Sequence, residues 1–550
     1  MKEHGIGGRK LTPLGFEALL LFSGIIIFAL SFPSFVSDWG FPVLGFIALI
    51  PMFALVRMSS WKLIVPYALV YGLGKYVLFN YWLAAFHPGA VFIAPIVSTS
   101  QLLFTFPILK AIDRAYPKYG FILQAVAFLA YEYIKTLGFV GYPYGIIGYS
   151  LYTMLPLIQI SEITGVWGVS LLILLPSAYL GRLLVDWYEG GLPLAKRTWS
   201  FQKPFMISYV VYFAFVLVFG LVRMHQVQSW EVARHWKTAL VQHNADTWLG
   251  GFQQYQRNFR TMSRLSLEAL KEAPDVDIII WSETAFVPGI YWHANYRTDP
   301  QMHNLVREFE TFAKDLPVPL VTGNSDGRRE NPDLPAILPN NTWNRVDYNA
   351  VIHYEDGELK ESYRKLHLVP FTEHFPYEHV FPRFHALLEA NDFRWWEKGT
   401  EATVFVTGDG VRFSTPICFE DVFGYLTRDF VNAGAQVIVN LSNDSWSRAV
   451  SAQMQHYAMS IYRAIETRRG MVRSTNSGMT VTMDASGRVI DMLDPFIETY
   501  LVSTVPIYAD PPQTIYLRFG DWMAQGALIL TGLSLAAGIF LLIFRRSRQR

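Results

Sequence analysis

A thiol, a carboxyl and an ammonium group, each in its own strand or loop context, are the residues here that can do chemistry together. Cys418 is the sole cysteine in 550 residues. It follows Ser414-Thr-Pro-Ile and precedes Phe419-Glu-Asp. An apolar approach, an acidic exit and a helix start read as a strand ending in a sharp turn. A side chain at such a strand end points into the crevice where open α/β sheets hold ligands. Val276-Asp-Ile-Ile-Ile-Trp-Ser-Glu283 ends a second buried strand on Glu283, and Ser362-Tyr-Arg-Lys-Leu-His-Leu-Val-Pro-Phe371 carries Lys365. A cysteine attacks as thiolate, and with a free pKa near 8.5 little of it is thiolate at neutral pH. A carboxyl at the end of an apolar strand has its pKa raised by burial, which suits Glu283 to take that proton. Lys365, with the backbone N–H after Cys418, can hold the oxyanion of a tetrahedral intermediate. Each residue also has a plainer reading. A free Cys is commonly a small buried hydrophobe, a Lys a solvated surface group, and a Glu a first-turn helix acid.

The composition says what must carry these groups. Charged residues make up 17%, hydrophobic residues 51% and aromatics 15%, whereas soluble domains carry about 25% charge. That is membrane sequence averaged with something more polar. A formal net charge of +1 argues against a nucleic-acid partner, which calls for a basic face. The lone cysteine excludes an internal disulfide, and no Cys/His cluster has zinc spacing, so no metal is expected. At this length two or more structural units are the prior.

Apolar stretches run at roughly 14–32, 40–56, 63–86, 90–109, 119–138, 163–185 and 205–222, and a last one at 523–544. Each approaches the ~20 residues that cross a bilayer as helix. The first resembles a signal peptide in hydropathy, but further spans follow at once and no small-residue cleavage site stands out, so a retained helix is expected. Basic residues then set the orientation. Lys2, Arg9 and Lys10 precede the first span; Arg57 and Lys62, then Lys110, Arg114 and Lys118, then Arg182, Lys196, Arg197 and Lys203 mark alternate loops, and Arg545, Arg546, Arg548 and Arg550 end the chain. The loops at 33–39 and 87–89 have none, and only Lys135 breaks the alternation. Both termini are therefore expected in the cytoplasm, with the globular part outside it. The expected domains are a seven-helix transmembrane domain (1–222), an extracytoplasmic globular domain (223–520) and a C-terminal transmembrane helix with a basic tail (521–550). Lys75, mid-span, is expected to face a headgroup-accessible cavity, pair with a carbonyl or snorkel.

Within 223–520 the pattern is α/β. Strands are expected at 237–243, 276–281, 317–322, 348–354, 359–363, 402–406, 411–418 and 436–442, with helices at 252–272, 300–315 and 450–468. Glu355-Asp-Gly357 and Ala485-Ser-Gly487 read as hairpin turns. Strands alternating with helices imply a layered sheet with helices outside.

Trp281-Ser-Glu283, Arg364-Lys-Leu-His-Leu-Val-Pro-Phe-Thr-Glu373 and Ile417-Cys-Phe-Glu420 resemble the three signature blocks of the nitrilase superfamily, in its order Glu, Lys, Cys. Eight spans framing such a domain resemble its membrane-embedded branch, the apolipoprotein N-acyltransferase family. Gly148-Tyr-Ser150, the run Gln159 to Ser170, Asn443-Asp-Ser-Trp446, Gln455-His456 and Arg473-Ser-Thr-Asn-Ser-Gly478 match that family as well. The likeness covers nearly the whole chain. It departs at Ser282 (Pro in the family), Ser447, Tyr144 after Pro143, and the run after Gln242.

The resemblance implies an α/β, nitrilase-like αββα sandwich beside a polytopic α-helical membrane domain of about eight transmembrane helices. It implies a Glu283-Lys365-Cys418 triad that takes an acyl chain from a phospholipid as a thioester and passes it to the N-terminal amine of a diacylglyceryl-cysteine. Glu373 would support Lys365 or the cysteine site, and Phe419 and Glu420 would shape the nucleophile's pocket. Trp248, Trp446 and Tyr144 are candidate substrate contacts, core packing being the plainer reading for the tryptophans. The implied partners are a phospholipid donor, a diacylated lipoprotein acceptor and membrane lipid, with no cofactor and a monomeric chain in a bacterial inner membrane. A membrane-tethered amidase, or an acyltransferase with another amine acceptor, shares the triad and stays open.

Overall fold

The computed structural model describes residues 11–86, 90–375, 377–389 and 395–547. Lys2, Arg9, Lys10, the 87–89 loop, Arg548 and Arg550 lie outside the described residues. The chain divides into two compact units, Met1–Met154 with Val166–Val218 and Trp522–Arg550, and Leu155–Gly165 with Phe219–Asp521.

The first unit is helical. Its helices are Pro13–Ser31, Ile50–Met58, Ile64–Phe79, Ala90–Ala115, Gly120–Ile134, the part of Val166–Gln228 up to Val218, and Trp522–Ser547. Thr12 caps the first by accepting from Gly15 N, with Pro13 at its first position, where a missing N–H costs nothing. The expected stretch at 40–56 is broken into three short helical pieces. Gly191, at φ 66°, interrupts the long Val166–Gln228 helix between the two stretches expected there. Among the described residues, four helices are long and apolar enough to cross a membrane, and three more apolar ones are shorter. Large apolar side chains face outward, Phe104 at 73% exposure, Phe540 at 68% and Ile529 at 65%, while Lys75, Glu132 and Lys135 are buried. That is the reverse of a water-soluble bundle.

Bonds within this unit sort the loops into two sets. Arg57 pairs with Asp113 and Asp186, and Arg182 and Gln202 both donate to Lys118 O. These are the basic loops. Among the sparse loops, Tyr142 Oη donates to Asn80 and Tyr152 Oη to Trp39 O. Lys75 is held by ring faces, its Nζ 3.8 Å from the centroid of Phe28 and 4.7 Å from that of Tyr76. Lys135 donates to Tyr144 O at 2.7 Å.

Among its described residues the second unit holds twelve strands in two sheets: β1 (Val232–Gln242), β2 (Ile278–Trp281), β3 (Leu320–Arg328), β4 (Val346–Glu355), β5 (Glu358–Arg364), β6 (Val404–Val406), β7 (Arg412–Ser414), β8 (Val437–Ser442), β9 (Gly470–Thr475), β10 (Val481–Met483), β11 (Val489–Met492) and β12 (Thr499–Tyr508). One sheet has the order β12-β1-β2-β3-β4-β5, the other β11-β10-β9-β8-β7-β6. The centre of each is parallel, β1-β2-β3 and β7-β8-β9, because helices such as Phe252–Glu272, Pro300–Asp315 and Val450–Thr467 make the crossovers that parallel neighbours need. Alternate side chains then serve two cores. Trp236, Leu240, Ile278 and Ile280 meet Phe413, Val437 and Val439 between the sheets, while Ala239, Val241, Ile279 and Trp281 meet Met262, Leu265 and Phe309 of the outer helices. The hairpin expected at Asp356-Gly357 joins β4 to β5, both turn residues at positive φ.

Candidate active site

The residues that follow β2, β5, β7 and β8 meet in one cluster. Glu283 lies two residues beyond β2. There the backbone runs so close to β3 that a Cβ on Gly323 would sit 2.4 Å from Thr284 N, so only glycine fits. Its Oε1 accepts from Asn349 Nδ2 at 2.9 Å and its Oε2 from Asn443 N at 3.0 Å, and Lys365 Nζ stands 3.4 Å from Oε1. Lys365 follows β5; its backbone N donates to Asn349 O. Its fully buried ammonium donates to Glu373 Oε1 at 2.9 Å. Glu373 also accepts from Asn349 Nδ2 and, through Oε2, from Val369 N.

Cys418 stands at φ 48°, a left-handed conformation that costs a non-glycine residue roughly 1 kcal/mol or more. The strand direction continues past β7 to Ile417, which bridges Leu441, and a helical turn Cys418–Val422 begins at the cysteine. Asn440 Nδ2 donates to Pro416 O and Cys418 O. Glu420, fully buried, ties this turn to the lysine segment. Its carboxylate accepts from Ile417 N, Leu366 N, His367 N and Tyr363 Oη, all between 2.7 and 2.9 Å. Phe419 packs against Phe423 and His367.

Proton affinities follow from this crowding. Burial pushes the Cys418 thiol well up, the nearby Glu283 charge adds to that, and Lys365 opposes it. Burial also raises the Glu283 carboxyl, with Lys365 opposing and Glu373 adding, and the neighbouring Cys418 side chain lowers it. Burial pulls Lys365 down, but Glu373, Glu283 and Cys418 together hold it above its ordinary value. A neutral thiol therefore rests beside a carboxyl able to take its proton and an ammonium fixed in the charged state. Among the described residues no His/Cys/Asp/Glu group is arranged to hold a metal.

Residues 23–179 match the family model described as the apolipoprotein N-acyltransferase N-terminal domain, and residues 237–509 match the carbon-nitrogen hydrolase model. Apolipoprotein N-acyltransferase 1 of Treponema denticola is 37% identical, over 97% of this chain and 98% of that protein. Its namesake in Treponema pallidum is 40% identical, over 89% and 90%. The chain belongs to the apolipoprotein N-acyltransferase family. Apolipoprotein N-acyltransferase 2 of Treponema denticola is more distant, at 28% identity over 92% of this chain.

Against that family frame, Glu283, Lys365, Glu373, Cys418, Phe419 and Glu420 all gather at one place. The candidate substrate contacts do not gather so simply. Trp248 is 44% exposed, on the loop after β1. Trp446 is half-buried on the loop after β8, and Ser445 Oγ to Thr247 Oγ1 at 3.0 Å joins the two loops. Tyr144 belongs to the helical unit, buried and stacked on Tyr142 at 5.0 Å between ring centroids. Several polar residues of the site were not singled out from the sequence. Asn349 bridges both acids; an Asn inside the apolar run of β4 was its signal. Asn476 bonds Ala245 O, Asn443 and Ser445, and Tyr363 bonds Glu420.

Proposed function

We propose that this acyltransferase moves an acyl chain from a phospholipid through a Cys418 thioester to the N-terminal amine of a diacylated lipoprotein. The observation that carries the reading is the buried Glu283-Lys365-Cys418 cluster in a chain of this family. Glu283 accepts the thiol proton as Sγ attacks the ester carbonyl. Lys365 and the backbone N–H of Phe419 hold the oxyanion. As the tetrahedral intermediate collapses, the glycerol oxygen leaves with the proton from Glu283, giving a lysophospholipid and the thioester. The acceptor amine then attacks, Glu283 takes its proton, and collapse forms the amide and returns that proton to the departing thiolate. Glu373 keeps Lys365 charged and in place; Trp248, Trp446 and Tyr144 contact the acyl chains.

The chain acts as a monomer in the inner membrane, crossing it eight times, with both termini cytoplasmic and residues 223–520 on the periplasmic side. The two bonded loop sets support this, since the basic ones hold together apart from the sparse ones. Two experiments test the proposal. Intact-mass analysis after mixing with phospholipid should show one acyl adduct, absent in Cys418→Ala and discharged by a lipopeptide amine. Discharge by water at the same rate would make the chain a hydrolase instead. In a Cys418→Ala background, an impermeant maleimide should label a cysteine placed at position 88 in intact cells but not one at 118; the reverse would overturn the orientation.

A further inference from the structure

Next to the nucleophile lies a second charged cluster that the transfer steps do not use. His456, in the helix Val450–Thr467, is 2% exposed. Its Nδ1 is 3.0 Å from Asp444 Oδ1, and its Nε2 is 2.7 Å from Asp421 Oδ1 and 3.2 Å from Cys418 O. An ionised carboxylate and a carbonyl can only accept, so both ring nitrogens must donate and the ring is an imidazolium. Arg473, on β9, contacts Asp421 directly and stands 3.7 Å from Asp444. These four charged groups, from the cysteine turn, the loop after β8, the helix and β9, are all buried. They sum to neutrality only when the histidine is protonated, and an uncompensated buried charge is costly.

The placement has a mechanical consequence. The Cys418 carbonyl belongs to the residue held at φ 48°, and that backbone angle decides where the thiol points. Asn440 reaches the same carbonyl at 3.3 Å, so the left-handed turn is pinned from two elements. We propose that His456, held as an imidazolium between Asp421 and Asp444, is a positioning residue that fixes the Cys418 turn through its carbonyl and so aims the thiol at Glu283. Burial opposes the ring's charge, but Asp444 and Asp421 raise its pKa to about 9.

The test uses which nitrogen matters. A glutamine side-chain nitrogen reaches the place of Nε2, while an asparagine nitrogen reaches only that of Nδ1. The rate of Cys418 acylation should fall by about 100-fold in His456→Asn, the scale of an ångström-sized misplacement. It should fall distinctly less in His456→Gln, with KM for phospholipid unchanged in both. Iodoacetamide reads the sole cysteine without any acyl donor, and its rate should follow the same order. The reverse order, Asn rescuing better than Gln, would reduce His456 to a strut for Asp444 and overturn the proposal. The acylation arm rests on the function proposed above. Should even the wild type form no acyl adduct while alkylation keeps the predicted order, that function fails and the positioning role stands. If neither variant folds, the wild type carries the test. A histidine whose folded pKa is raised stabilises fully below its unfolded value, and the contribution is lost as pH rises through about 9. Thermal stability falling across that range supports the imidazolium, and a flat profile refutes it.

Discussion

Replacing Lys365 with methionine keeps most of the apolar stem and deletes only the ammonium. That group is fully buried, 2.9 Å from Glu373 and 3.4 Å from Glu283. At an effective dielectric of about 20 the two attractions are on the order of 6 and 5 kcal/mol before the cost of desolvating the ions. Breaking such a buried set leaves a net loss of about 3–5 kcal/mol, because two carboxylates then face each other around Asn349. Adding Glu373→Gln to Lys365→Met removes one of the two acids and should restore more than half of the lost stability. It should restore no activity, since the oxyanion still lacks its cation. Thermal unfolding in detergent reads the first effect, with a drop of roughly 5 °C or more in the single mutant. Intact-mass measurement of Cys418 acylation reads the second. If Lys365→Met melts like the wild type, or if the double mutant is no more stable than the single, the three groups do not form one charged unit. Near-normal acylation in either variant would end the oxyanion role.

Three further outcomes follow from the same geometry. Glu283 must be ionised to take the thiol proton, so acylation rises with pH through its pKa, which burial and then Glu373 hold above the ordinary carboxyl range. In Glu373→Gln the acid limb of the pH–rate profile should move to lower pH, and a limb that stays or moves up would remove Glu283 from the base role. Glu420→Gln turns one accepting oxygen into a donor against backbone N–H groups, costing about 2–4 kcal/mol; denaturant unfolding should show that loss, and kcat should fall with donor KM unchanged. Cys418→Gly and Cys418→Ala should both fold and form no adduct, with the glycine variant about 1 kcal/mol more stable because the left-handed turn suits it. The opposite order in thermal unfolding would mean that the turn is not strained.

What the sequence made legible was whatever has a period or a unique residue type. The helices at 252–272 and 300–315 matched to the residue, since each has an amphipathic face, and Asp299 caps the start of the second. The strands before Glu283 and Cys418 were readable as apolar runs stopping at a polar group, and the polar strand before Lys365 was readable from the hairpin turn at Glu355-Asp-Gly357. Other parts were illegible for physical reasons. β9 and β12 carry polar residues into the core that are satisfied by partners on other strands, as with Ser503 bonded to Thr482 and Asp491. No window of sequence contains those partners. The span at 40–56 looked uniform in hydropathy, yet Pro42 and Pro51 leave it in short pieces. Lys75 offered a choice among carbonyl, cavity and interface. Its actual partners are the faces of Phe28 and Tyr76, and Phe28 lies 47 positions away in the sequence.

The supporting half of the site has one common property. Glu283, Lys365 and Cys418 announce themselves because their chemistry is rare at strand ends, whereas Asn349, which nothing singled out, and Asn443, Asn476, Glu420 and His456, which only the family resemblance marked, act only by what they hold. Each bonds a backbone or side chain on a different element: Asn443 N to Glu283, Glu420 to the segments of both Lys365 and Cys418, His456 to the cysteine carbonyl. A thiol that burial keeps neutral, beside a base that burial has also raised, reacts only when the two are held in register. The protein therefore needs more residues to fix the angle of one sulfur than to perform the transfer.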